Sequence, residues 1–301
     1  MAKWWFFVLS VTAAIGEPKP VPRMQAIPLP LQQISFHREG EEIAQYYFSP
    51  ELRRPFIHPI IGPSGRSLTR MGHPHDPEGH SHHNSFWVAH QSVNGKGFWD
   101  DRSEGRIVHR RVLRFEDGND AASVLTENSW IASNRVYLSE RRRTRVESLE
   151  KGEWLLTLDI ELRASKEDVE LGKTPFGLVG VRMAKSIGVS DGGGTIRNSE
   201  GGVNEAGVFW KRARWVDYSG PIAPKTIEGI TLLDHPQNPN HPTVFHVRND
   251  GWMGASLTFD GARTISRDVP LRLRYGLYIH AGMPPAKNIE GVWKRFSASP
   301  L

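Results

Sequence analysis

Six of the thirteen histidines stand within one stretch of the chain, residues 70–101: His73, His75, His80, His82, His83 and His90. Imidazole carries protons near neutral pH and is the commonest metal ligand, so this density marks a candidate site. His80, His82 and His83 have the residue types of a three-ligand zinc site that a carboxylate could complete, but not the HExxH spacing. Proton transfer is the alternative chemistry, and a divalent metal stays its rival. If residues 85–91 form a strand, alternation puts Asn84, Phe86, Val88 and His90 on one face. His83, Ser85, Trp87 and Ala89 then lie on the other, so His83 and His90 face opposite ways unless a bulge intervenes.

Other segments supply possible partners. Asp234-His235-Pro236, followed by Asn238, Pro239 and His241, sets a carboxylate beside an imidazole on a proline-stiffened loop, suited to an orienter and acid/base pair. In residues 271–281, alternation sets Leu271, Leu273, Tyr275, Leu277 and Ile279 toward a core. Arg272, Arg274, Gly276, Tyr278 and His280 form a polar stripe opposite them. Arg182 shares a face with Gly180, where a missing side chain would leave room for a ligand. The expected proton carriers are therefore His83, His90, His235 and His280 with Asp234. Arg182, Asn84, Trp87, Asn238 and Tyr278 are the expected substrate-binding groups. All are expected to converge on one pocket. Gly192-Gly193-Gly194 opens no phosphate-binding motif and reads as a lid or surface loop within the polar segment 185–206, and no G-x-S-x-G elbow occurs.

The elements that must position these groups look like strands. Short runs rich in β-branched and aromatic residues, from 34–37 to 271–281, alternate with Gly, Asn, Asp and Pro punctuation. Residues 116–119 and 150–153 are hairpin-turn candidates. Only 285–296 has helical periodicity. The expected fold is all-β, one large antiparallel β-sandwich with very little helix, occupying residues 33–301. Residues 17–32, rich in proline, read as a linker that cannot pair inside a sheet. Residues 1–16 have the order of a signal peptide: Lys3, an apolar run, then Ala13, Ala14 and Gly16. An exported, periplasmic or extracellular protein is the expectation.

Composition narrows the function. With no cysteine, thiolate nucleophiles, disulfides and Cys-ligated metals are excluded. The net charge of +5 comes with two arginine clusters, Arg110, Arg111 and Arg114, then Arg141, Arg142, Arg143 and Arg145. Both sit in strand-like runs, so consecutive arginines must point to opposite faces of a sheet. No nucleic-acid-binding module accompanies them, and no nucleic-acid partner is expected. No apolar run approaches the roughly 20 residues of a membrane-spanning helix. Ten tryptophans and thirteen phenylalanines suit a sheet core and also the platforms on which sugars pack.

Several segments carry a resemblance: Arg54-Pro55-Phe56-Ile57-His58-Pro59, Gly79-His80-Ser81-His82-His83-Asn84-Ser85-Phe86-Trp87, Val93-Asn94-Gly95 with Phe98-Trp99, Phe176-Gly177-Leu178 with Val181-Arg182, Trp215-Val216-Asp217-Tyr218-Ser219-Gly220, Asp234-His235-Pro236-Gln237-Asn238-Pro239 and Tyr278-Ile279-His280. In these the chain resembles the bacterial family of unknown function that carries the label "methane oxygenase PmoA". The resemblance implies a largely β protein, frequently exported, in bacteria that degrade complex glycans. It does not imply a methane oxygenase, whose subunit spans the membrane repeatedly. Where relatives read Asp-His-Pro-His-His, this chain has Gly79-His80-Ser81-His82-His83, which removes one potential ligand. The texture also resembles, more distantly, the galactose mutarotase supersandwich, in which a histidine and a carboxylate shuttle protons on a sugar in an open cleft. The expected function is acid/base chemistry on a glycan or modified sugar, by an epimerase, hydrolase or lyase. A non-catalytic glycan-binding protein and a metal-dependent enzyme are the rivals.

Overall fold

The computed structural model describes residue 1, residues 20–72 and residues 80–301. The signal-peptide segment, apart from Met1, and His73, His75, Asp76 and Glu78 lie outside the described residues.

Two antiparallel sheets form a sandwich. In order across the first sheet run β1 (Met24–Leu29), β2 (Gln33–Arg38), β3 (Glu41–Tyr47), β4 (Phe56–Ile60), β5 (Phe86–Val88), β11 (Leu178–Arg182), β17 (Trp252–Ser256), β16 (Val244–Arg248) and β13 (Lys211–Arg212). Across the second run β12 (Thr195–Asn198), β14 (Trp215–Ala223), β15 (Thr226–Asp234), β19 (Leu271–Ala281), β9 (Trp154–Ala164), β8 (Arg135–Ser148), β7 (Ala121–Ala132) and β6 (Arg106–Glu116). A small pair, β10 (Val169–Leu171) with β18 (Arg263–Ile265), stands apart. The helices are short α1 (Val189–Gly192) and α2 (Asn204–Val208), and the amphipathic α3 (Ala286–Ser297). The all-β sandwich expected from the strand texture is the fold observed.

Alternation builds the core. Phe86, Val88, Val179, Val181, Met253, Ala255, Phe245 and Val247 turn inward from the first sheet. Leu156, Leu158, Ile160, Leu273, Tyr275, Leu277 and Ile279 meet them from the second. The arginine run on β8 obeys the same period. Arg142 is buried against Glu140 at 2.5 Å, whereas Arg141 is exposed. Glu140 also accepts from Asn128 and the Trp130 indole, so both oxygens of the buried carboxylate are hydrogen-bonded.

Two sequence expectations change here. Residues 24–29, read as linker, form the edge strand β1, with Met24 and Ala26 buried. Pro28 is tolerated because an edge strand has one side free of ladder bonds. The Gly-rich segment 185–206 is not a free lid: it contributes β12 to the second sheet and the short helices α1 and α2.

The outer face of the first sheet is the unusual one. Register aligns Trp87, Gly180, Gly254 and His246 across four adjacent strands. A Cβ on Gly180 would lie 2.6 Å from the Trp252 ring and 2.7 Å from the Trp87 ring, and one on Gly254 would lie 2.8 Å from Trp252. The two glycines let both indoles lie flat on the sheet, so the space expected beside Gly180 for a ligand is filled by tryptophan. Gly180→Ala should therefore lower unfolding free energy by about 1–3 kcal/mol, the usual cost of overpacking, measured by urea denaturation. Unchanged stability together with unchanged tryptophan fluorescence would contradict this packing.

Candidate functional site

Above those indoles opens a cleft of about 600 Å³, lined by His80, His82, His83, Trp99, Asp100, Phe176, Ser190, Glu205, His246, Arg248, Asn249, Asp250 and Trp252. Its floor is a pile of rings. His83 stacks on Trp87 at 5.1 Å and on Trp252 at 4.9 Å, and His80 stacks on His83 at 4.5 Å. Trp99 stands edge-on to Trp252, and Phe176 bridges Trp99 to His246.

Arg54 holds the histidine loop over this floor. Its guanidinium is buried and donates to the His82 carbonyl at 3.0 Å, to Asn84 Oδ1 at 2.9 Å and to the Trp99 carbonyl at 2.5 Å. Burial, opposed by Asp101 and Asp100, lowers its pKa to about 10, so it remains a cation. One side chain thus ties the loop of His80–His83 to the loop of Phe98–Trp99.

The opposite wall is the β16–β17 turn, which carries Asp250. Tyr218, reaching from the second sheet, donates to the Asn249 carbonyl and accepts from the Val189 N–H. Glu205 accepts from the Asn249 N–H at 2.9 Å, while Asn249 Oδ1 accepts from the Glu205 N–H at 3.1 Å. So fixed, Asp250 meets Arg182 at 3.0 Å through one oxygen and His80 Nδ1 at 3.6 Å through the other. Arg182 is buried behind the pair, whereas the His80 and Asp250 side chains remain 25% and 32% exposed to the cleft.

Burial decides the protonation of the rest. His83 is held far below the ordinary imidazole range by desolvation first, then by His82 and Arg182. His82 is lowered to about 4 by burial and Arg54, and His246 to about 4 by burial. Near neutral pH these three are neutral rings. Nδ1 of His83 and of His246 is buried without a protein hydrogen-bond partner. Among the described residues, no group of three His, Asp or Glu side chains is arranged to hold a metal ion. His80 and His83 meet face to face, 14° from parallel, presenting ring faces rather than convergent nitrogens.

The residues expected to converge are dispersed. His83 lines the cleft. Trp87 lies beneath it, Arg182 behind Asp250, and Asn84 serves Arg54. His90 turns away to Thr258 at 3.0 Å and to the Ser92 backbone, and burial lowers its pKa to about 4. Tyr278 and His280 belong to the second sheet, on its outer face and thus on the far side of the sandwich. There Tyr278 packs with Trp215, Ile289 and Phe296 under α3, and donates to Glu153. His280 is fully buried, with Nε2 2.8 Å from Asp217. Asp217 also engages Arg197, Ser219 and Thr231. Asp234 accepts from His241, Asn238 and the Thr243 N–H, Asn238 also bonds the Arg274 backbone, and His235 bonds the Ser299 carbonyl. These groups satisfy one another at the seat of α3 and the C-terminal residues, so the expected single pocket does not form.

Sequence reasoning missed Asp250, Trp252, His246, Glu205 and Arg248. The signal was present in Asn249-Asp250-Gly251, a turn tripeptide between two strand-like runs, which sets a carboxylate at a sheet end one residue from the next strand.

The chain belongs to a family of unknown function (DUF6807), whose model matches residues 33–294. No curated protein matches the chain. Heparan sulfate lyase HepC from Pedobacter heparinus is similar at a TM-score of 0.36 and 6% identity, over 84% of this chain and 31% of that one. The 4-alpha-glucanotransferase from Thermococcus litoralis is similar at 0.34 and 10% identity, over 87% and 40%. The chain thus spans less than half the length of either enzyme.

The histidine shifts make a pH prediction. An unfolded imidazole takes a proton near 6.5, whereas His90 and His246 resist until about 4. Between those values the unfolded chain binds more protons, so stability present above pH 6.5 is lost as pH falls toward 4. The loss approaches about 1.4 kcal/mol per pH unit for each excess proton. Urea titrations at pH 7, 6 and 5 should show this slope, and His246→Gln should flatten it. A variant slope equal to that of the parent protein would remove His246 from the account.

Proposed function

We infer that the cleft binds a glycan or modified sugar and acts on it by acid/base chemistry, with His80 and Asp250 as the proton-handling pair. One observation carries this reading. A solvent-reachable imidazole faces a carboxylate at 3.6 Å, and that carboxylate is backed by a buried arginine, directly over an aromatic floor. Ring faces at the floor suit the C–H face of a pyranose, and the polar wall offers donors and acceptors to its hydroxyls. The neutral His82 and His83 supply hydrogen bonds without competing for the proton.

In this reading Arg182 is a positioning residue, not the substrate clamp. It orients Asp250, and Asp250 faces His80, so that this imidazole and carboxylate together can take a proton from the sugar and return it. Their separation exceeds a hydrogen bond and would tighten when a substrate closes the site, as unliganded catalytic contacts commonly do. The chemistry is that of an epimerase, hydrolase or lyase. The resemblances of the sequence to glycan-associated bacterial proteins and to the mutarotase supersandwich support the same substrate class.

Incubation with a panel of soluble polysaccharides, followed by mass spectrometry and reducing-end assay, tests the idea. Asp250→Asn and His80→Gln should each cut turnover by about 100-fold or more while leaving glycan retention on a native gel intact. Full turnover in both variants would rule this pair out. Retention without turnover in the parent protein would favour a pure binder. Export is part of the proposal, and the secreted protein should begin near residues 14–17. Recovery of Met1 on protein collected outside the cell would count against cleavage there.

A further inference from the structure

Trp210 joins the cleft to the surface in a way that the reading above does not use. It is 45% exposed, yet its backbone sits at φ +56°, a left-handed conformation that large L-residues rarely adopt. Burial does not offset the strain, since nearly half the side chain faces water. Its N–H donates to the Phe245 carbonyl at 2.9 Å, which fixes the strained residue beside the edge of the first sheet. One indole face lies on Phe209 at 4.4 Å and 22°, Phe259 stands tilted against the ring at 5.6 Å, and nearly half of the side chain is still exposed.

The ring is continuous with the site. His246 lines the cleft, lies 5.8 Å from Trp252, and stands edge-on to Phe209 at 4.9 Å and to Trp210 at 6.2 Å. Arg248, another lining residue, covers Phe209 at 5.6 Å. The aromatic path therefore runs from the floor through His246 to an indole at the rim. Its surroundings are polar: Arg212 pairs with Asp260 at 2.5 Å on the segments carrying Trp210 and Phe259. A single exposed ring with a charged border fits one flat hydroxylated ring better than a broad apolar partner.

We propose that Trp210 is an outer sugar-binding position, so that the ligand is a glycan chain reaching from the cleft to the sheet edge. This deepens the glycan reading of the cleft and rests on it. The test is native electrophoresis of the full chain through gels cast with starch, a β-glucan, a xylan or a pectin. Trp210→Gly and Trp210→Asn both place a residue at home at positive φ. Each should keep or raise the thermal midpoint and weaken retardation several-fold, and Trp210→Phe should retain part of it. His82→Ala serves as the cleft reference and should weaken retardation independently. Retardation lost in His82→Ala but unchanged in Trp210→Gly overturns the outer position and leaves the cleft reading standing. Unfolding of both the Gly and Asn variants also overturns it, because Trp210 would then be structural. Failure of all four polysaccharides to retard the parent protein overturns the glycan reading and the outer position with it.

Discussion

The site exists because two facing residues of adjacent strands, Gly180 and Gly254, lack side chains. Where Cβ atoms would stand, the indoles of Trp87 and Trp252 lie against the sheet, 5.4 Å apart and 23° from parallel. That flat double ring is the surface on which His83 rests, and His83 in turn carries His80. A side chain at either glycine would lift the indoles, tilt the imidazoles and open the contact with Asp250. The geometry of the cleft is thus set one layer below the residues that line it.

Electrostatics imposes the second constraint. A guanidinium as deeply buried as Arg182 is costly unless a counter-charge meets it, and among the described residues its ion-pair partner is Asp250. The pairing draws the β16–β17 turn down over the sheet, and Tyr218, Glu205 and Asn249 hold it there. Arg54 solves the same problem differently, by spending its donors on backbone carbonyls of two loops and on Asn84. One buried arginine fixes each wall, which makes the cleft a preformed structure rather than a gap between loops.

How much of this could be read in the chain depends on the range of the signal. Alternation is local, so the strands, the inward face of residues 271–281 and the split of the arginine run at 141–145 were legible. So were the hairpin turns after Glu116 and Ser148, and α3. Proline content misled at residues 24–29, because an edge strand spares the proline its missing donor and composition does not say which strand is an edge. Of the histidine loop, His80, His82 and His83 line the cleft. The other wall was assigned wrongly because periodicity tells which face a residue takes, not which sheet its strand joins. Tyr278 and His280 do face away from the core, as expected, but β19 lies in the second sheet. Asp250 and Trp252 come 170 and 172 residues after His80, a pairing that no local pattern encodes.

The dispersal of the remaining histidines bears on mechanism. A proton carrier needs a lone pair that a substrate can reach and a protonated form that the site tolerates. His90, His235 and His280 fail the first condition, since the hydrogen bonds of each run to protein groups in the interior or under the C-terminal residues. His83 fails the second, for among two indoles, two imidazoles and Arg182 a positive charge on its ring has no counterpart. His80 differs from these: its ring is partly wet, and it faces the Asp250 oxygen other than the one that meets Arg182. Of the two histidines that the sequence put forward only as metal ligands, His80 and His82, it is His80 that faces the Asp250 carboxylate across the cleft.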